Sequence, residues 1–325
     1  MINYLNDSMK NRVPLIGHFE ITHKCPYKCA FCYNHIESKE ELSTPQIFFL
    51  INKFAEAGCL HINISGGEPL CHPDFVKIYK YIIKKGIRVS IETNASTLSE
   101  STLDILIKYP PIKILISMYG ISEDIHRKVT NSSVLLETVK ENIIRLQKNK
   151  INIFLRTPVS KDNFTELHLL RQYAAQNNIE FNYDPKIWWN QSGERKFDYR
   201  CTSSIVEKLK DVDPIYQDLF KKLEQLETRS FAIRSCRWGE NEFYVNPYGE
   251  MHYCIVFWSN KYNLLSGSFE DAWHNWYMKY RANGCIGRKI YPTDGNCPSG
   301  YLYFHKNLDT SKTIEELLIQ NSLKI

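Results

Sequence analysis

The sequence predicts an α/β protein, a partial (β/α)6 TIM-type barrel followed by a small α+β region. Three observations carry that reading. From Gly17 to about Asp184, short β-rich runs alternate with helical patterns, the mark of a parallel sheet with helices outside. Six such units are too few for a closed eight-fold barrel, so the sheet is expected to stay open on one side. After Asp184 the rhythm breaks, and from about Ser235 a hairpin pattern begins.

The strands are expected at 17–23 (GHFEITH), 60–65 (LHINIS), 87–92 (RVSIET), 112–117 (IKILIS), 152–158 (NIFLRTP) and 179–184 (IEFNYD). Each is rich in Ile, Val, Phe or Leu and bounded by Gly, Pro, Asn or Ser. Thr44 reads as a helix N-cap with Pro45 in the first helical position, and Ile47, Leu50, Ile51 and Phe54 give a stripe that ends at Gly58. Phe75, Ile78, Tyr79 and Ile82 repeat the pattern and stop at Gly86; Leu135, Leu136, Val139, Ile143 and Leu146 form a third stripe. Residues 185–201 read as a long loop and 202–227 as one or two helices. FYVNPYGEMHYC reads as a hairpin turning at Asn246-Pro247-Tyr248-Gly249, with a helix carrying Trp273 and Trp276 after it. The expected division is a lead-in (1–16), the barrel (17–190), a bridge (191–230), the small region (231–310) and a tail (311–325).

Composition narrows the class. Hydrophobic residues make up 43% and charged residues 24% of 325, enough to bury a sizeable core and too apolar for wholesale disorder. Apolar runs such as Ile47 to Ile51 fall far short of the roughly 20 residues that cross a bilayer, and the start lacks a secretory h-region. Forty-one basic and 36 acidic residues are interspersed, without the basic run of a nucleic-acid patch. The expectation is a cytoplasmic protein with neither a membrane nor a nucleic-acid partner. In a reducing compartment ten cysteines point to metal or to chemistry rather than to disulfides. Three cluster near the start and four fall between 236 and 297, which suggests two metal sites.

Directly after the first strand comes Cys25-Pro-Tyr-Lys-Cys29-Ala-Phe-Cys32, a C-x3-C-x2-C spacing. Three thiolates on one loop can hold three corners of a [4Fe–4S] cube and leave the fourth iron open, with Phe31 keeping the site dry. The alternative is structural zinc, closed by His23 or His35. The second strand ends in Ser65-Gly66-Gly67-Glu68-Pro69, where two glycines allow close backbone approach and a carboxylate can take an ammonium group.

Together these motifs resemble the radical S-adenosylmethionine (SAM) superfamily. GHFEITHKCPYKCAFCYN is similar to that superfamily's first strand and cluster loop, and ISGGEP to its second-strand motif. Glu92-Thr93-Asn94 resembles a third-strand T-N-G with Ala95 in place of Gly. ISMYG followed by DIHRKVT resembles the fourth-strand region, with Asn131 where Gly is usual. The resemblance implies that Cys25, Cys29 and Cys32 hold a [4Fe–4S] cluster whose open iron is completed by SAM. It places Gly66, Gly67 and Glu68 at the methionyl ammonium, and Asn94, Ser117 and Lys128 as further SAM contacts. For Asn94 and Ser117 strand-end capping is the competing reading, and for Lys128 a solvated helix lysine.

Cys236 and the G-x4-C of Gly249 to Cys254, followed by SGSFEDAW and Cys297-Pro298, resemble the SPASM and twitch regions that bind auxiliary clusters. A full SPASM region has more cysteines. Cys236, Cys254, Cys285 and Cys297 suffice for one further [4Fe–4S] cluster, as in a twitch-type region; zinc is again the rival. If Cys285 is not a ligand, that cluster has an open iron. Cys59 and Cys71 read as small hydrophobes. Cys201 is a candidate hydrogen-atom donor, as an epimerase would need. The tryptophans would either pack the core or line a substrate cleft.

The chain looks most like maturases of ribosomally made peptides, which form cross-links or thioethers or epimerise residues. Only 24 residues precede Cys25, too few for a leader-binding domain, so a separate leader-binding protein or the barrel itself would present the peptide. A flavodoxin or ferredoxin would supply electrons. The alternatives are a small-molecule epimerase or dehydrogenase, for example of an aminoglycoside, and a non-catalytic zinc-binding module.

Overall fold

A computed structural model describes residues 11–34, 38–184, 241–254 and 257–277. Within these residues β1 (Ile16–Thr22), β2 (His61–Gly66), β3 (Arg88–Thr93), β4 (Ile114–Ser117), β5 (Ile153–Pro158) and β6 (Glu180–Asp184) form a parallel sheet. Each strand lies within two residues of its expected span. The connections are right for a βα array: α1 (Thr44–Glu56), α2 (Phe75–Lys84), α3 (Glu100–Lys108), α4 (Glu123–Thr130), α5 (Leu136–Lys148) and α6 (Leu167–Gln176). The chain is an α/β protein with a partial-barrel core.

Strand alternation divides the sheet into two chemically different faces. Phe19, Ile21, Ile62, Ile64, Val89, Ile91, Ile114, Ile116 and Leu155 point toward the helices and are buried with Ile47, Leu50, Phe54, Ile78, Ile82, Val139 and Ile143. The intervening residues, His18, Glu20, Asn63, Ser65, Ser90, Glu92, Ser117 and Arg156, make the other face polar. A core is thereby committed to one side, and the opposite side is left for chemistry.

The helices expected at Ile47, Phe75 and Leu136 are present. The first begins one residue early: Ser43 is the cap, joined to Gln46 in a reciprocal capping box, and the Thr44 hydroxyl donates to Asp74 instead (2.6 Å). α3, α4 and α6 have no counterpart among the three expected stripes. α4 is eight residues long and buries His126, Val129 and Thr130, which follow the helical period but are mostly polar, so no apolar stripe stands out.

The hairpin forms as expected. β7 (Glu242–Val245) and β8 (Glu250–Cys254) turn at Asn246, whose Oδ1 accepts from the backbone N–H groups of Tyr248 and Glu250 (both 3.0 Å). β7 also pairs in parallel with β1, so the order is β6-β5-β4-β3-β2-β1-β7-β8-β9, with β9 at Phe257–Asn263. The hairpin therefore extends the barrel sheet itself. Trp273 is 1% exposed, in the core, and Phe54 meets the rings of Phe19, Phe243 and Phe269 at 5.0–5.7 Å. Phe54 is the apolar bolt between α1, β1 and β7. Phe54→Ala is expected to lower unfolding free energy by about 3–5 kcal/mol in chemical denaturation, with Phe54→Leu costing clearly less.

Candidate active site

The three cysteines leave β1 on a loop held from several sides. The Lys28 N–H donates to the Thr130 carbonyl (2.8 Å) and the Ser132 hydroxyl to the Pro26 carbonyl (3.0 Å), tying the loop to the end of α4. Glu20 holds both ends of it. His23 Nε2 lies 2.8 Å from one Glu20 oxygen, and the Tyr33 hydroxyl donates to the other (2.9 Å). His23 is thus engaged with β1, not turned to the thiols as a fourth ligand; His35 lies outside the described residues.

The strap Gly66-Gly67-Glu68 lies against the start of this loop. The N–H groups of Gly67 and Glu68 donate to the carbonyls of Thr22 and Lys24 (both 2.8 Å). Gly66 has φ +134°, and a Cβ there would sit 2.1 Å from the Thr22 carbonyl oxygen; one on Gly67 would sit 2.4 Å from that of His23. The glycines are needed for contact between two stretches of backbone, not only for approach by a ligand. Glu68 is fully buried. Its oxygens accept from Leu70 N (3.0 Å), the Thr93 hydroxyl (2.7 Å) and Asn94 N (2.7 Å), and burial outweighs these bonds to push its pKa up to about 7.

Asn94 closes the circuit. Its side chain donates to Cys25 Sγ (3.4 Å) while its Oδ1 caps Ser96 N (2.9 Å). Both the capping role and a contact with the thiol loop are therefore present. Ser117, half-buried at the end of β4, bonds the Tyr119 hydroxyl, which also reaches Cys29. Phe31 is buried beside Tyr119, Val129 and Ile125, an apolar wall behind the thiols. Lys128 is 60% exposed in the last turn of α4 and pairs with Asp162 (2.8 Å). Ala95 and Asn131 both have positive φ, 53° and 45°.

Burial drives the Cys25 thiol up to about 12, with the charges of Glu68, Cys32 and Cys71 adding to it, and burial likewise drives Cys29 well above the usual range. Cys71 thus comes within electrostatic reach of Cys25, which its position in the sequence did not suggest; Cys59 is an inert buried thiol, as expected. Among the described residues no three His, Cys, Asp or Glu side chains are drawn together as metal ligands. The donor chemistry nonetheless fits an iron–sulfur group: three thiols on one loop, of which Cys25 and Cys29 are held neutral by burial until a strong positive charge lies beside them. Cys254 ends β8, while Cys201, Cys236, Cys285 and Cys297 lie outside the described residues. Tyr119 was not singled out in the sequence, because only the fold brings it to the thiols; Tyr27 and Tyr33 adjoin the cysteines in sequence, but which partners they meet depends on the fold.

Residues 19–172 match the model of the Radical SAM superfamily. The chain carries a radical SAM domain. Among known relatives, the antilisterial bacteriocin subtilosin biosynthesis protein AlbA of Bacillus subtilis (strain 168) is 25% identical over 283 residues, 81% of this chain and 59% of that protein. A PqqA peptide cyclase of Bradyrhizobium diazoefficiens is 32% identical over 120 residues, 36% of this chain and 32% of that one. The chain thus spans between a third and three-fifths of these two relatives. In fold it is similar to Streptococcus suis SuiB bound to its precursor peptide SuiA. That match has a TM-score of 0.69 and 18% identity over 86% of this chain and 70% of SuiB.

The strap and its carboxylate generate two expectations. Gly66→Ala should destabilise the protein by about 3 kcal/mol in denaturant titration, because the strain is between backbone atoms. Glu68 binds its proton more tightly folded than unfolded between pH 4.5 and about 7, so its contribution to stability falls as pH rises through that window. Glu68→Gln should remove that slope when stability of the metal-free protein is measured against pH.

Proposed function

We propose that the chain is a radical SAM enzyme that acts on a ribosomally synthesised peptide. The observation that carries this is the C-x3-C-x2-C loop seated against Gly66–Glu68, Asn94 and Tyr119 at the C-terminal ends of β1 to β4, where barrel chemistry belongs. The names of the relatives, a bacteriocin biosynthesis protein and peptide cyclases, favour a peptide over a small molecule. The reaction would be a cross-link, a thioether or an epimerisation.

Cys25, Cys29 and Cys32 would hold one [4Fe–4S] cluster, and Gly66, Gly67, Glu68, Asn94, Ser117 and Lys128 would line the SAM site. When bound, the cluster and SAM supply a 5′-deoxyadenosyl radical that takes a hydrogen atom from the substrate. The chain's own part is to position and to exclude water: Phe31 and Tyr119 screen the thiols, and Asn94 fixes Cys25 relative to the Glu68 strap. Glu68 would meet the SAM ammonium only by rearranging one of its present donors. Lys128 would reach the SAM carboxylate by leaving Asp162, an exposed pair of small energetic consequence.

Cys236, Cys254, Cys285 and Cys297 would hold one auxiliary [4Fe–4S] cluster in a twitch-like region at 231–310, after a barrel at 17–190 and a bridge at 191–230. Cys201 on the bridge would be the hydrogen donor if the reaction is an epimerisation. A separate leader-binding protein, a flavodoxin or ferredoxin, and a cytoplasmic site complete the reading; no helix among the described residues is long and apolar enough to cross a membrane.

Anaerobically reconstituted protein should carry about eight irons per chain, falling to about four when Cys25, Cys29 and Cys32 are together changed to Ala. With SAM and dithionite the wild type should form 5′-deoxyadenosine and the triple variant none, and a substrate peptide should raise the wild-type rate. Zinc in place of iron, or deoxyadenosine that survives the triple change, would reject the proposal.

A further inference from the structure

The polar face of the sheet holds a group that neither the thiol loop nor the strap uses. Arg156 on β5 pairs with Glu92 on β3 through one terminal nitrogen, and Glu92 is held from its other side by the Asn63 amide of β2 (2.5 Å). The guanidinium is therefore held across β4 by a carboxylate that β2 in turn fixes. It is also reachable, with its side chain 39% exposed. Its remaining N–H groups have no acceptor among the described residues, so a rigid fork of donors faces open space.

Its position is close to the thiol loop. Arg156 is the register partner of Ser117, and Tyr33, which follows Cys32, and Tyr119 lie within electrostatic reach of it.

The charge around it selects the class of acceptor. Glu92 cancels the guanidinium charge. On the same face two more carboxylates, Glu20 and Glu242, lie beside histidines, at 2.8 Å from His23 and 3.6 Å from His18. A further carboxylate entering this half-buried setting would be desolvated beside Glu92, Glu20 and Glu242, with the one guanidinium already paired. A neutral carbonyl oxygen meets the donors at no such cost.

We propose that the Arg156–Glu92 pair is a substrate-positioning site that takes a neutral amide carbonyl of the peptide. This rests on the reading of the substrate as a peptide and adds the atoms that would hold it.

The test uses reconstituted holoenzyme with SAM and two probes, N-acetyl-triglycine amide and its free-carboxylate counterpart, with binding followed by saturation-transfer NMR. Wild type should bind the amide about tenfold more tightly than the carboxylate. Arg156→Gln should lose that amide affinity by about the same factor, and Arg156→Lys should recover part of it. Glu92→Gln leaves the guanidinium charge unbalanced and should reverse the preference toward the carboxylate, a gain that misfolding would not produce. A wild type that prefers the carboxylate or binds neither probe would overturn the proposal, as would an Arg156→Gln variant that keeps the amide. Wild-type deoxyadenosine formation without probe reads the radical proposal separately: its absence alongside an intact amide preference would sink that reading and leave this site standing.

Discussion

The arrangement depends on one close approach of backbone to backbone. Gly66 and Gly67 lie so near Thr22 and His23 that a single methyl group on either would collide with a carbonyl. That contact places the Glu68 carboxylate inside the protein, where it gathers donors from Leu70, Thr93 and Asn94. The ends of β1, β2 and β3 are thus fixed to one another through one residue. Asn94 then passes this positioning on to Cys25. The Cys25 thiol, a strand end and a buried acid are thereby tied to one another. A site that is to control a reactive radical needs its parts held in this way.

Glu20 does the complementary task at the loop's two ends. One carboxylate bonds His23 where the loop begins and Tyr33 where it finishes. Between these anchors Cys29 packs against a small apolar wall of Phe31, Val129 and Ile125. The polar face thus carries a buried acid and the thiol loop at the ends of β1 and β2, and the Arg156–Glu92 pair bridging β5 and β3 across β4. On the other edge, pairing of β7 with β1 carries the sheet on to Cys254 at the end of β8, so a proposed ligand of the auxiliary cluster sits two strands from the thiol loop.

Much of this was legible in the sequence, for identifiable reasons. Strands buried on one face repeat every second residue, so the runs at Phe19, Ile62, Val89, Ile114 and Leu155 declared themselves. The hairpin was legible because Asn246 and Gly249 are turn residues between alternating strands. The departures from the family pattern also make sense: Ala95 and Asn131, each standing where Gly is usual, both adopt the left-handed backbone that Gly would take. What stayed hidden was long-range. The pairing of Arg156 with Glu92 and the approach of Tyr119 to Cys29 join residues far apart in the chain. The role of the two glycines was only half legible, since spacing shows that backbone must pass closely but not what it passes. α4 gave no apolar stripe because its sequence is mostly polar and two of its three buried residues, His126 and Thr130, are polar.

The central claim is that Cys25, Cys29 and Cys32 hold a cluster with an iron left open for SAM. The most direct measurement is electron paramagnetic resonance of the reduced, reconstituted protein with Cys236, Cys254, Cys285 and Cys297 changed together to Ala, recorded with and without SAM. An account in which the loop supplies three ligands predicts a [4Fe–4S] signal whose g-values shift when SAM is added. A signal indifferent to SAM would mean that the fourth iron is already closed by the protein, and no iron signal at all would mean that the loop is not a cluster site; either result would contradict the account.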